Sequence, residues 1–134
     1  MHSEVRRFET RWAPDDHDVI APDGSQVRIL CGLSRGGMAL FTLPANAVAK
    51  AIAHRTVEEI WYFAAGRGRM WRRQGEHQDI VEVGPGASIS IPVGTQFQFR
   101  CDGAEPLVAV GVTMPPWPGE DEAQLILGPW EPTV

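Results

Sequence analysis

Short apolar runs with period-two alternation follow one another along most of this chain, and no segment carries a convincing helical stripe. In SQVRILCGL, Val27, Ile29, Cys31 and Leu33 alternate onto one face; Arg35-Gly36-Gly37 then turns the chain into MALFTL, so the two runs read as a hairpin. Beyond Pro44, the residues Val48, Lys50, Ile52 and His54 alternate with alanines at 47, 49, 51 and 53. That pattern favours a strand over the helix that alanine content alone suggests. EEIWYFAAG is a strong strand centred on Trp61, Tyr62 and Phe63, and Gly66 with Gly68 marks a hairpin into MWRR. Further strands are expected at DIVEVGPG, ASISIP, QFQFRC and PLVAVGVTM. A short strand over 8–12 brings Phe8 and Trp12 onto the body or onto a partner subunit, and the tail from Pro115 to Val134, with Trp117, Leu125, Ile126, Leu127 and Trp130, is expected to do the same. Short strands at near-regular spacing predict an all-β sandwich or barrel.

Composition narrows the function classes without changing that picture. A chain of 134 residues suits one domain, 1–134, with the barrel core at about 25–115, and can bury a substantial core without metal or disulfide support. Its net charge of -5 and scattered arginines argue against nucleic acid or an anionic membrane as partner. The N-terminal MHSEVRRFETRW lacks the apolar core of a signal peptide, and a soluble, cytoplasmic protein is expected. In that compartment Cys31 and Cys101 read as buried free thiols. The acidic run Asp15-Asp16-His17-Asp18 reads as a solvated turn, because four consecutive residues cannot all converge on one ion.

The stretch from Ala51 to Gly68 concentrates the candidate chemistry. His54, four residues, Glu59, six more and Gly66 match the first motif of the cupin superfamily from its second histidine onward, and Gly86, five residues, Pro92 and Gly94 match the front of the second. The chain therefore resembles a small cupin over roughly residues 25 to 115. That resemblance implies a double-stranded β-helix, or jelly-roll barrel, commonly assembled as a homodimer. It also implies a divalent transition metal held by two histidines and a glutamate from the first motif and a histidine from the second. In this chain Ile52 and Phe97 stand at two of those histidine positions, Cys101 replaces the family asparagine and Asn46 the leading glycine. Only His54 and Glu59 remain as ligands should a metal bind, one donor short of the three protein ligands that catalytic sites generally use.

Two roles are open to His54 and Glu59: a structural hydrogen-bonded pair, or an acid/base couple in which Glu59 orients the imidazole and raises its pKa. Alternation places Trp61 and Phe63 on the Glu59 face and Phe97 beside Phe99, so that, with Ile52, they line an apolar cavity or simply fill the core. Gln96 and Gln98 fall on the opposite, outer face. Three functional readings follow. The first is a cupin that binds a small organic ligand in an apolar pocket; the second, an enzyme, either isomerase-like or epimerase-like with His54 as general base, or metal-dependent and dioxygenase-like. The third is a dimeric structural barrel whose pocket is vestigial.

Overall fold

The computed structural model describes residues 6–134, the Glu120 side chain excepted. In chain order the strands are β1 (Val19–Ile20), β2 (Gln26–Leu33), β3 (Gly36–Leu43), β4 (Ile52–His54), β5 (Glu58–Ala65), β6 (Gly68–Gln74), β7 (His77–Val83), β8 (Ser88–Ile91), β9 (Gln96–Cys101), β10 (Leu107–Met114) and β11 (Ala123–Leu125). They form a six-stranded sheet, β1-β2-β3-β10-β5-β8, and a five-stranded sheet, β11-β4-β9-β6-β7. All pairings are antiparallel; the alternation predicts the all-β sandwich or barrel, and the fold is the jelly roll that the resemblance implies. The one helical element among the described residues is a 3-10 turn at Glu120–Glu122, and no helix there is long and apolar enough to cross a membrane.

Alternation on β5 turns Glu59, Trp61 and Phe63 inward and leaves Glu58, Ile60 and Tyr62 outside. On β9 it sends Phe97, Phe99 and Cys101 to the interior. The two sheets thus meet across an aromatic core, joined by Phe41, Leu43, Met70 and Leu107. Gly111 on β10 lies directly opposite Trp61 on β5, and a side chain there would collide with the Phe41 ring and come within 3.0 Å of Trp61. The missing Cβ makes room for two large rings.

The described structure corrects several expectations. Gly66 and Gly68 do not form a hairpin, because β5 and β6 belong to different sheets. Gly66 has φ 79°, and a Cβ on either glycine would strike backbone, that of Pro106 or that of Arg100. The two glycines let the chain cross between sheets while passing against neighbouring main chain. The run from Val48 to His54 is a strand only over Ile52–His54, with Val48 making a single bridge to Arg100. On β2 Val27 is buried while Ile29 and, beyond a register shift between Ile29 and Gly32, Leu33 are exposed; Cys31 is half-buried and only Cys101 is fully enclosed. Residues 8–12 form no strand, and Phe8 and Trp12 are 100% and 89% exposed.

The tail lies over the five-stranded sheet. Strand β11 pairs with β4, placing Ala123 beside His54 and Leu125 beside Ile52. Gln98 does point to the outer face, yet it is buried, because the Trp130 segment covers it. Its amide nitrogen donates to Ala49 O at 2.8 Å and Trp130 O at 2.9 Å, while its oxygen accepts from Trp130 N at 3.2 Å. The Trp130 ring rests against the Arg69 and Arg100 guanidinium groups, which Asp102 pairs at 2.8 Å each. Farther along, Val48 N donates to Thr133 Oγ1 at 2.8 Å.

Candidate functional site

Strand β4 carries His54 inward beside Ile52, and β5 carries Glu59 inward beside Trp61. His54 Nδ1 stands 3.4 Å from Glu59 Oε1, and both side chains are about 4% exposed or less. Thr113 on β10, directly across from Glu59, donates from Oγ1 to Glu59 Oε2 at 2.7 Å. The His54 ring is held edge-on between Phe97, centroids 5.3 Å apart, and Trp117 of the tail, 5.2 Å apart. Glu122 anchors this part of the tail, its carboxylate accepting from Thr56 N at 2.7 Å, from Val57 N at 3.1 Å and from the Thr56 hydroxyl. The sequence-derived set of Ile52, His54, Glu59, Trp61, Phe63, Phe97 and Phe99 is therefore brought together, every member buried.

Their electrostatics follow from burial. Desolvation lowers the His54 imidazole from 6.5 to about 4, with the nearby Glu122 charge pulling weakly the other way. It raises the Glu59 carboxyl from 4.5 to about 7, against the opposing pull of the Thr113 hydroxyl. Glu59 accordingly does not raise the imidazole pKa: enclosure in a low-dielectric interior outweighs the attraction between the two groups. At neutral pH His54 is uncharged and Glu59 is poised near half-protonation. Burial also pushes Glu122 up, but hydrogen bonds from Thr56 and the backbone outweigh it and hold that carboxylate below its usual value.

Among the described residues two buried polar atoms, His54 Nδ1 and Trp61 Nε1, lack a well-formed hydrogen bond, although Trp61 stands close enough to the Glu59 carboxyl to oppose its upward shift. Such atoms are uncommon in folded interiors, because each forfeits its hydration without compensation. They face a region where Thr113, Trp117 and Glu122 also converge, none of them singled out by sequence. Thr113 left a faint signal as the polar residue in register with the inward Ala109 and Gly111 of β10. Trp117 and Glu122 left none, since their role depends on how the tail returns. Outside the barrel, a cleft of about 210 Å³ gathers Arg72, His77, Asp79, Ser90 and Thr95, but Arg72 is already engaged with Ser90 O at 3.0 Å and Asp79 at 3.8 Å.

The cupin-domain family model matches residues 39–113, more than half of the chain and the segment that contains both candidate motifs. The chain belongs to the cupin family. No curated protein sequence matches it. Among solved structures it is similar to BH2720 from Bacillus halodurans, at 23% identity and TM-score 0.63, over 70% of this cupin and 73% of that chain. It is also similar to oxalate decarboxylase from Bacillus subtilis, at 21% identity and TM-score 0.64, over 73% of this chain but only 28% of that one. These likenesses share a fold with this cupin.

The oxalate decarboxylase contains Mn(II) centres, and the donors of the present chain can be weighed against such an ion. Ile52 and Phe97 pair directly across β4 and β9 beside His54, placing hydrocarbon where further ligands would stand. Among the described residues no three His, Cys, Asp or Glu side chains converge. His2 lies outside the described residues. A neutral imidazole and one carboxyl, walled by Phe97 and Trp117, do not fit a catalytic metal that requires three protein ligands.

Proposed function

We propose that this cupin binds a small, uncharged, hydrogen-bonding organic molecule at the His54 end of the barrel, where Trp117 of the tail packs against the imidazole. The observation that carries this reading is a pair of buried atoms without a well-formed hydrogen bond, above all His54 Nδ1 and with it Trp61 Nε1, beside the Glu59 carboxyl in an otherwise aromatic interior. A ligand with one donor and one acceptor satisfies both, while its apolar part replaces the Trp117 ring against His54 and Phe97. Charged ligands are disfavoured, because the same burial that keeps His54 neutral penalises any ion brought beside it. The test is a thermal-stabilisation screen of small alcohols, amides and carbonyl compounds against their charged analogues, on wild type, His54→Leu and Trp117→Ala. Neutral ligands at about 100 times Kd should stabilise the wild type by about 2.7 kcal/mol, and His54→Leu should lose most of that gain. Hits confined to anions or metal ions, or hits indifferent to His54→Leu, would contradict the proposal.

A second reading is proton transfer on the bound molecule, favoured by the Glu59 carboxyl at about 7, where a general acid/base works best at neutral pH. In that reading Glu59, rather than His54, moves the proton. The same screen's hits, incubated in heavy water and followed by proton NMR, should then exchange a carbon-bound hydrogen with wild type and not with Glu59→Gln.

A further inference from the structure

Along β6 and β7 the face that begins as core changes character at one rung. Met70 lies opposite Val81 against the apolar interior, but the next pairs on that face are Arg72 with Asp79 and Gln74 with His77. Register continues the Arg72 row through Phe97 of β9 to Ile52 of β4, both buried. One face of the five-stranded sheet is thus apolar over β4 and β9 and polar over the ends of β6 and β7. Polar groups on such a face are costly inside a filled barrel. Here they meet the cleft of about 210 Å³ instead, whose other wall is Ser90 of the edge strand β8 and the turn at 92–95.

The side chains of this cleft are held in place without being saturated. Arg72 Nη1 donates to Ser90 O at 3.0 Å, which ties β6 to the opposite sheet and fixes the guanidinium plane. Arg72 Nη2 stands 3.8 Å from Asp79 Oδ1, near enough for ionic attraction but too far for a hydrogen bond. A donor and an acceptor therefore face each other across a gap. A hydroxyl oxygen about 2.8 Å from both fills it, accepting from Nη2 and donating to Oδ1 at once. An anion drawn to Arg72 meets the Asp79 charge, and a cation drawn to Asp79 meets the guanidinium, so the pair selects against either ion. Gln74, whose Nε2 donates to Thr95 Oγ1 at 3.1 Å, and His77 offer further groups that both donate and accept, and Pro92 gives a carbon skeleton an apolar wall.

We infer that the cleft is a second binding site, for a small neutral polyol, with Arg72 and Asp79 clasping one hydroxyl between them. The volume lies below the roughly 300 Å³ at which drug-sized pockets begin, which suits an open-chain or single-ring molecule. Phe97 stands between Arg72 and the strand that carries His54, so the two sites are separate.

Amide NMR titration of wild type, Asp79→Ala and Arg72→Met with erythritol, xylitol and myo-inositol, and in parallel with inorganic phosphate and acetate, tests this. The Arg72 and Asp79 side chains are 23% and 45% exposed, so neither substitution empties the core, and Asp79→Ala leaves the Arg72 bond to Ser90 intact. For molecules of about ten non-hydrogen atoms a dissociation constant of roughly 1 to 10 mM is expected. At least one polyol should saturate the wild type, moving amides of β6 and β7 and not those of β4 and β5, and each variant should weaken it about tenfold. No saturation by any polyol up to about 100 mM, tighter binding of phosphate or acetate, shifts centred on β4 and β5, or a titration indifferent to either variant overturns the inference.

Discussion

Trp61→Ala is expected to destabilise the protein by about 4 kcal/mol, within the roughly 3 to 5 kcal/mol typical of emptying a large aromatic from a packed core. The ring is 2% exposed and touches both sheets: its centroid lies 4.8 Å from Phe41, 5.0 Å from Phe99, 5.9 Å from Phe97 and 6.1 Å from Phe63. Gly111 offers no side chain that could move into the gap. Trp61→Phe should cost far less, because it keeps most of the ring contacts and removes a buried Nε1 that lacks a well-formed hydrogen bond. Urea unfolding at neutral pH measures both. A Trp61→Ala loss under about 1.5 kcal/mol would mean that the barrel is loosely filled and that Trp61 does not tie the sheets together.

Glu59→Gln should stabilise the protein at about pH 8 by on the order of 3 kcal/mol and change little at about pH 4. The sign follows from where each group holds its proton. Glu59 titrates at 4.5 when unfolded and at about 7 when folded, so the native chain binds that proton more tightly and stability is lost as pH rises across this window. His54 runs the opposite way, from 6.5 to about 4, and its contribution is lost as pH falls. Between 4.5 and 6.5 the two slopes oppose each other, and above 6.5 only the Glu59 slope remains. Glutamine keeps an oxygen for the Thr113 hydroxyl and offers an N–H toward His54 Nδ1, while removing the charge that high pH would force into the interior. A variant less stable than wild type at about pH 8 would show that the ionised carboxylate is well accommodated.

What the sequence revealed and what it concealed divide along a physical line. Period-two alternation on β5 and β9 set the inward rings Trp61, Phe63, Phe97 and Phe99, because the pleat leaves no choice once one face is buried. Set against the cupin motifs, Ile52 and Phe97 left His54 and Glu59 as the motif donors in the sequence. Hidden were properties that arise only when distant segments meet. The Gly66–Gly68 crossover resembles a hairpin turn in sequence, since glycine serves both a tight turn and a close backbone approach. Gln98 is polar, reads as outward and is outward, yet becomes buried because the Trp130 segment lies 32 residues away and brings its own donor and acceptor. Likewise, the imidazole pKa falls because Phe97 and Trp117 enclose it, and no spacing within the first motif encodes Trp117.

The central claim is that burial holds His54 neutral and raises Glu59 until it is half-protonated near neutral pH, so that the two do not form a charged ion pair. An NMR titration of the His54 ring nitrogens and the Glu59 carboxyl carbon from about pH 8 to pH 4 tests it most directly. The account predicts an imidazole that stays neutral until about 4 and a Glu59 signal with its midpoint near 7. A His54 midpoint at or above its ordinary 6.5, with Glu59 titrating at or below 4.5, would instead mean a charged ion pair and would contradict it.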